Sequence, residues 1–437
     1  MNHKPNKSHK VNIITLGCAK NLVDSEVLMK QLESNQIEIV QDSDKTDAKT
    51  VIINTCGFIE DAKEESIETI LQFVRAKEAD EIEKLFVIGC LSERYKKELE
   101  SEIPEVDQYF GVNDLAKIIR FLGAEYKKNL IGERVLITPK HYAYLKISEG
   151  CDRKCSFCSI PDIRGKHISR PIEDLVEETK KLAEKGVKEI IFIAQDLTYY
   201  GLDLYKDRRL RELISQISDI KGIEWIRLHY AFPTNFPLDI LPLIGEKPNI
   251  CKYIDIPVQH ITDKMLNIMR RGISRKETYL LLEKIRKEIP DVALRTTIMV
   301  GHPGESEKDF RALKQFISEV QFDRLGVFTY SYEEDTYSYN HYKDSIPEKL
   351  KEDRKNEILE IQESTSMHLN YNKIGKLFKV IVDGREGEYF TGRTEYDSPE
   401  IDNEVIITNT DKEIKPGEFY QVKITDAATY DLFGEVS

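Results

Sequence analysis

The chain has 437 residues, enough for two to four domains, and at 40% hydrophobic and 32% charged residues it reads as globular. No apolar run approaches the length a bilayer span needs, and a net charge of −13 makes it a poor default nucleic-acid binder and a better match for a basic partner. Seven cysteines, an odd number, without a secretory signal argue against a disulfide framework and for the cytoplasm.

Residues 1–10 are polar and basic and are expected to be a disordered tail. Three short apolar runs follow: Val11 to Leu16, Thr50 to Asn54 and Leu85 to Ile88. A helical pattern succeeds each, through Val27, Leu28 and Leu32, from about Glu60 to Ala79, and from near Ser92. Continuous apolar strands alternating with helices predict an open parallel α/β sheet, covered on both faces, over 11–130. Each run also ends at a cysteine, as Gly17-Cys18, Cys56-Gly57 and Gly89-Cys90. Sites in open parallel sheets form outside the carboxyl ends of the strands, so Cys18, Cys56 and Cys90 are expected to converge as a three-cysteine metal cluster site. Helix N-termini there favour thiolate and an anionic cluster. Three unrelated packed cysteines are the plainer alternative for any one of them.

Residues 135–345 form the second unit. A strand-like run from Tyr142 to Ile147 leads into Gly150-Cys151-Asp152-Arg153-Lys154-Cys155-Ser156-Phe157-Cys158. Cys151, Cys155 and Cys158 stand at C-x3-C-x2-C, a spacing that can wrap one iron–sulfur cube while leaving its fourth iron open. An open coordination position is where chemistry happens. Zinc would need a fourth ligand, and the nearest histidine, His167, lies beyond a Pro and a Gly in the basic loop Arg164 to Pro171. A disulfide plus a spare thiol suits the compartment poorly.

About six βα repeats follow, with strands at Lys188 to Ala194, Trp225 to Leu228, Tyr253 to Ile256, Ala293 to Val300 and Arg324 to Tyr330. They predict a partial TIM-type barrel with its functional loops at the carboxyl ends of the strands. Those ends carry Gln195-Asp196, His229-Tyr230, Gln259-His260, Gly301 to Glu305, and Tyr330-Ser331, a layout suited to a cofactor and substrate pocket. Gly301 and Gly304 flank a proline, which either brings backbone close to a ligand or simply makes a turn. Cys251 begins a strand and reads as packed.

Residues 346–370 are a charged helix expected to link the barrel to a tail. From 371 to 437, five short strands with turn signals predict a small OB-type β-barrel. Eight Lys plus Arg against 14 Asp plus Glu in this stretch fit a basic protein rather than a phosphate backbone. A spacer without a partner of its own is the alternative.

The three-cysteine loop, with Phe157 before its last cysteine, resembles the radical S-adenosylmethionine superfamily. Leu16-Gly17-Cys18-Ala19-Lys20-Asn21-Leu22-Val23-Asp24-Ser25-Glu26, Ile163 to His167 with Ser169-Arg170-Pro171, and Ala194-Gln195-Asp196 extend the resemblance to the methylthiotransferase family over nearly the whole chain. Ala19 departs from the proline expected after the cysteine, at a position that is not a ligand. The resemblance implies an N-terminal auxiliary-cluster domain, a radical S-adenosylmethionine barrel and a C-terminal TRAM domain. It implies a radical-generating 4Fe–4S cluster on Cys151, Cys155 and Cys158, and an auxiliary 4Fe–4S cluster on Cys18, Cys56 and Cys90 that carries the sulfur. S-adenosylmethionine would supply both a methyl group and a 5′-deoxyadenosyl radical, with Phe157, Gln195, Asp196, Gln259 and Gly301 as candidate cofactor contacts. Within the family the wording is nearest the branch that modifies the β-carbon of an aspartate in ribosomal small-subunit protein 12, with an electron donor as a further partner. Modification of a transfer-RNA adenosine by the same machinery is the alternative, and a non-catalytic iron–sulfur or redox-sensing module is the reading from another class.

Overall fold

A computed structural model describes residues 10–43, 47–408 and 413–437. The expectation of a disordered tail at 1–10 falls almost wholly outside them. Strands β1 (Lys10–Thr15), β2 (Glu38–Gln41), β3 (Thr50–Thr55), β4 (Lys84–Gly89) and β5 (Gln108–Tyr109) form one parallel sheet in the order β2-β1-β3-β4-β5. Alternate residues of the central strands enter opposite cores. Val51, Ile53, Leu85 and Val87 pack against Ile70 and Phe73 of α2 (Glu60–Glu78), while Val11, Ile13, Ile52 and Phe86 pack against Leu28 and Leu32 of α1 (Ala19–Glu33). Strand β2 is an edge with polar ends, too short and too half-exposed to leave an apolar run. Helices α3 (Cys90–Arg94), α4 (Lys96–Glu102) and α5 (Leu115–Phe121) complete the domain.

The second sheet has six parallel strands in the order β6-β9-β10-β11-β12-β13. They are β6 (Tyr142–Lys146), β9 (Glu189–Ile193), β10 (Trp225–Leu228), β11 (Ile250–Asp255), β12 (Ala293–Val300) and β13 (Arg324–Thr329). A ribbon of β7 (Ser148–Glu149) and β8 (Ile168–Ser169) brackets the C-x3-C-x2-C loop, with α6 (Ile160–Arg164) between. The outer face of the sheet, including Leu145, Phe192, Ile226 and Leu294, lies under α7 (Ile172–Glu184), α8 (Leu210–Ser218), α9 (Ile240–Glu246), α11 (Arg275–Glu288) and α12 (Glu307–Val320). Two short helices, α10 (Asp263–Ile268) and α13 (Tyr337–His341), sit among the loops at the mouth.

The barrel is open, and its two neighbours cover the inner face. Val23 of α1 packs on Tyr142, Tyr144, Ile191 and Ile193. On the other side Trp225, Cys251, Tyr253 and Ala293 meet Ile381, Tyr396 and Phe419 of the C-terminal unit. Helix α14 (Glu348–Tyr371), read from sequence as a link, is instead part of the barrel's outer layer. Its Ile358 enters the main core, Gln362 Nε2 donates to the Phe322 carbonyl and Arg354 pairs with Glu305.

Strands β14 (Leu377–Glu386), β15 (Tyr389–Thr394), β16 (Val405–Ile407), β17 (Phe419–Ala427) and β18 (Leu432–Val436) close a five-stranded barrel in the order β14-β15-β16-β18-β17. The segment after β15 reaches the inner face of the large barrel. Arg295 pairs with Asp402, Arg324 with Asp397, and Glu189 bridges Arg227 and Arg393 at 2.8 Å each. Removing one partner of such a buried pair costs about 3–5 kcal/mol, because a charge is left alone in low dielectric.

Candidate active site

Cys18 caps α1, Cys56 follows β3 and Cys90 opens α3, so the three stand at the carboxyl ends of adjacent strands. Their loops meet because side chains are missing. A Cβ on Gly17 would lie 2.6 Å from Cys56 Cβ, and one on Gly57 would lie 2.6 Å from Leu91 Cα, next to Cys90. Buried Asn21 stitches the loops together. Its Nδ2 donates to the carbonyls of Leu16 and Thr55, both at 3.0 Å, and its Oδ1 faces Cys90 Sγ at 3.8 Å. Burial pushes the Cys56 thiol up and that of Cys90 up to about 12, and Cys90 feels the charge of both other cysteines. Cys18 is open to the cleft. The protein around it also pushes its thiol up, but Lys20, Arg164 and the N–H groups of Asn21 and Lys20 outweigh that and lower it.

The second trio lies in a loop held from three sides. Cys151 N donates to the Gly165 carbonyl at 3.0 Å, Ser156 N to Met269 O at 3.1 Å, and Ser338 N of α13 to Ser156 O at 2.6 Å. Buried His302 adds its Nε2 at 2.9 Å from Ser338 Oγ and 3.4 Å from Ser156 Oγ. Cys151, Cys155 and Cys158 line one cavity of about 320 Å³, together with Arg270, Asp335 and Tyr337. Burial pushes Cys151 up to about 12 and Cys158 higher still.

Among the described residues no three His, Cys, Asp or Glu side chains are close enough for a single metal ion. Each trio offers three thiolates, which suits a four-iron cluster that takes one thiolate per iron and leaves its fourth iron open, where a structural zinc site wants four ligands. His167 is directed at Ser169 Oγ, 3.1 Å away, and is no fourth ligand.

The two trios are joined through a charged bridge. Arg164, at the end of α6, donates Nη2 to Asn21 Oδ1 at 2.6 Å and Nη1 to Glu149 at 2.9 Å and Asp24 at 3.2 Å. Lys146 pairs with Asp24 and with Glu149. Burial alone would raise Glu149, but Lys146 and Arg164 hold its carboxyl down at about 2. Nearby, Lys20 lies 3.9 Å from the centre of the Tyr230 ring, which crosses from the Cys18 loop to the end of β10. Tyr230 has φ +63°, and Gln259 at the end of β11 has φ +69°. Strained backbone of this kind gathers at functional sites.

The sequence-predicted pocket residues divide. Gln195 Nε2 donates to Glu149 at 3.0 Å, while its Oε1 and that of Gln259 are buried with no hydrogen-bond partner. These two unpartnered carbonyls stand beyond the carboxyl ends of β9 and β11, on either side of β10. The Phe157 ring stands edge-on to His302 at 6.4 Å. Asp196 is partly occupied: one oxygen accepts from Arg153 Nε at 2.8 Å and the other from Thr198 N and Oγ1. It orients Arg153, and Oδ2, which accepts that one bond, keeps a further acceptor site. Gly301 has φ +78°, its N–H donates to Glu305 at 2.7 Å, and a Cβ there would lie 2.4 Å from Lys351 Cγ of α14, so the turn and the helix packing both call for glycine. Arg153, Arg271 and Glu149 are site residues that sequence reading did not single out. Arg153, close to Cys151, and Glu149, at the end of a strand, had position as their only signal, and Arg271 had none.

Family profiles match in three parts: the uncharacterized protein family UPF0004 over residues 10–111, the Radical SAM superfamily over 145–317 and the TRAM domain over 374–436. The ribosomal protein uS12 methylthiotransferase RimO of Cytophaga hutchinsonii is 56% identical over 436 residues, covering 100% of both chains. RimO of Christiangramia forsetii is 55% identical over 435 residues, covering 100% of this chain and 96% of the relative. The chain belongs to the RimO family of radical S-adenosylmethionine methylthiotransferases. The radical S-adenosylmethionine methyltransferase TsrM from Kitasatospora setae has a similar fold, with TM-score 0.54, 14% identity and 73% of each chain covered. OxsB, a cobalamin-dependent S-adenosylmethionine radical enzyme, gives TM-score 0.52 at 14% identity over 80% of this chain and 56% of its own. Among the described residues no helix is long and apolar enough to cross a membrane.

Proposed function

We propose that this chain transfers a methylthio group to the β-carbon of an aspartate in ribosomal protein uS12. Cys151, Cys155 and Cys158 hold one 4Fe–4S cluster and Cys18, Cys56 and Cys90 a second. When bound, the first of these with S-adenosylmethionine supplies a radical able to take hydrogen from an unactivated C–H bond, and the second carries the sulfur. The observation that carries the reading is the bridge from Asn21 to Arg164, which ties the loop of one thiol trio to the loop beside the other. A reaction joining a substrate carbon to a carried sulfur requires the two trios to face one cleft, and this bridge supports that arrangement.

The protein's part is to position and to exclude water. Gln195 and Gln259 offer their free carbonyl oxygens to donors of a bound cofactor. Arg153, fixed by Asp196 and lying 4.0 Å from the Phe232 ring centre, shapes one wall beside Cys151. Lys20 on Tyr230 closes the cleft between the sheet of the N-terminal domain and the barrel mouth. A one-electron reductant is the remaining partner. The relatives act on uS12, and their full-length match supports the same substrate here.

The test is anaerobic turnover of the reconstituted chain with S-adenosylmethionine, reductant and sulfide, offered uS12 or unmodified transfer RNA. Mass spectrometry then looks for the added methylthio group. Modification of a uS12 aspartate is expected. Modification of the RNA alone would replace the substrate and keep the chemistry, whereas no 5′-deoxyadenosine at all would sink the radical reading.

A further inference from the structure

Arg271 lies in the loop between α10 and α11 and is 3% exposed. Its Nη1 donates to Cys155 Sγ at 3.1 Å, its Nη2 donates to the Pro257 carbonyl, and the Phe232 ring centre stands 4.0 Å from its guanidinium. Its Nε is buried without a partner, and it makes no ion pair with any described residue. The contrast across the same ring is informative. Arg153 also lies 4.0 Å from the Phe232 centre, and it has its carboxylate, Asp196, at 2.8 Å.

A guanidinium cannot shed its charge by losing a proton, so burial without an anion is expensive. Among the described residues no carboxylate supplies that anion at Arg271. The one sulfur it touches belongs to the trio, and three thiolates on a cluster bring negative charge to that point. We propose that Arg271 is the built-in counter-charge of the cluster held by Cys151, Cys155 and Cys158, and that it raises the cluster's reduction potential. The inference rests on the reading of these three cysteines as cluster ligands. Reduction adds one electron and no proton, and makes the cluster more negative. A cation and an N–H···S hydrogen bond at a ligand sulfur therefore stabilise the reduced form more than the oxidised form. Arg271 is a positioning and tuning residue and takes no part in bond making.

The experiment is a redox titration of the full chain, reconstituted anaerobically with iron and sulfide and poised with dithionite and mediators, without S-adenosylmethionine. A C18A/C56A/C90A background leaves one cluster, whose reduced form is read by electron paramagnetic resonance. R271M, which keeps volume and removes charge, is expected to lower the reduced-to-oxidised ratio at fixed potential at least tenfold, about 59 mV for one electron. R271K should fall between R271M and the parent. R270M is the control, because Arg270 lines the same cavity but is exposed and lies on the Tyr337 ring. It should change the ratio less than threefold, about 28 mV. Should R271M hold no iron, R271K and R271Q carry the ranking, and equal midpoints for parent, Lys and Gln overturn the proposal. Full iron with an unchanged midpoint in R271M also overturns it, alone. A parent that takes up no iron at Cys151, Cys155 and Cys158 overturns the site reading and this inference together.

Discussion

Replacing Asn21 with Ala removes the residue on which the first thiol trio depends. The side chain is fully buried and makes four hydrogen bonds: two to the Leu16 and Thr55 carbonyls at 3.0 Å, one from Arg164 at 2.6 Å and a weak one from Cys90 Sγ at 3.8 Å. Each buried group left unpaired costs about 1–3 kcal/mol, and a charged donor more, so about 3 kcal/mol is the expected loss. That loss falls on the loops before Cys18 and Cys56. Hydrogen exchange read by mass spectrometry should rise across residues 11–60 and stay level in the barrel. Iron content after reconstitution should drop from two clusters toward one. In a double-mutant cycle with Arg164→Met, the two changes should couple by about 2 kcal/mol, the worth of a hydrogen bond to a charged group. Wild-type exchange together with full iron loading in Asn21→Ala would refute the argument that this amide organises the site.

Three further outcomes follow from the geometry. In the C18A/C56A/C90A variant, S-adenosylmethionine cleavage to 5′-deoxyadenosine should persist while methylthio transfer to uS12 is lost, read by chromatography and mass spectrometry of the same reaction; loss of cleavage would mean the two trios are not separate. Burial lowers His302 from 6.5 to about 4, so the unfolded chain takes up a proton that the folded chain refuses as pH falls through that window. Stability relative to His302→Asn should therefore shrink by roughly 3 kcal/mol between pH 6.5 and 4 and be flat above 6.5, measured by denaturant titration at each pH. Arg393→Met should cost about 3 kcal/mol, because it leaves Glu189 with Arg227 alone and Asp383 with His141 alone, each carboxylate short of one charged donor. The only tryptophan, Trp225, packs edge-on to Phe419 at 4.8 Å across that interface, so its fluorescence reports the loosening of the C-terminal barrel.

Strand position was the legible part of this chain. Apolar runs such as Thr50 to Asn54 and Leu85 to Ile88 are buried on both faces, so they carry a continuous pattern that needs no partner to interpret. The cysteines inherited their meaning from those strands, because a residue just past a parallel strand has its location fixed by the sheet. What stayed hidden depends on contacts between distant segments. That Asp196 holds Arg153, 43 residues earlier in the chain, has no trace in the local sequence. Nor has the packing of Lys351 of α14 against Gly301. Arg271 carries no local signal at all; its isolation from any carboxylate is visible only in three dimensions.

The acidity of the C-terminal barrel shows the same limit. A net charge counted along residues 371–437 treats every carboxylate as available to a partner. Asp383 is taken by Arg393, Asp397 by Arg324, Asp402 by Arg295 and Tyr253, and Glu400 accepts from the Tyr142 and Tyr144 hydroxyls. Asp383 ties β14 to β15 within the small barrel, while Asp397, Asp402 and Glu400 meet arginines and tyrosines of β6 and β11–β13 and so dock the small barrel onto the large one. Glu413 and Glu418 are exposed but paired with Lys415 and Lys188, and Glu386, Glu388, Glu404, Asp426 and Glu435 are exposed with no lysine or arginine partner among the described residues. Only such outward groups can steer a basic substrate, and their pull is screened beyond roughly 8 Å at physiological salt. The tail's charge therefore argues first for how the chain assembles. Its bearing on substrate choice reduces to that outer set, and neutralising those five should weaken uS12 capture at low salt while leaving the docking pairs and the Trp225 signal in place.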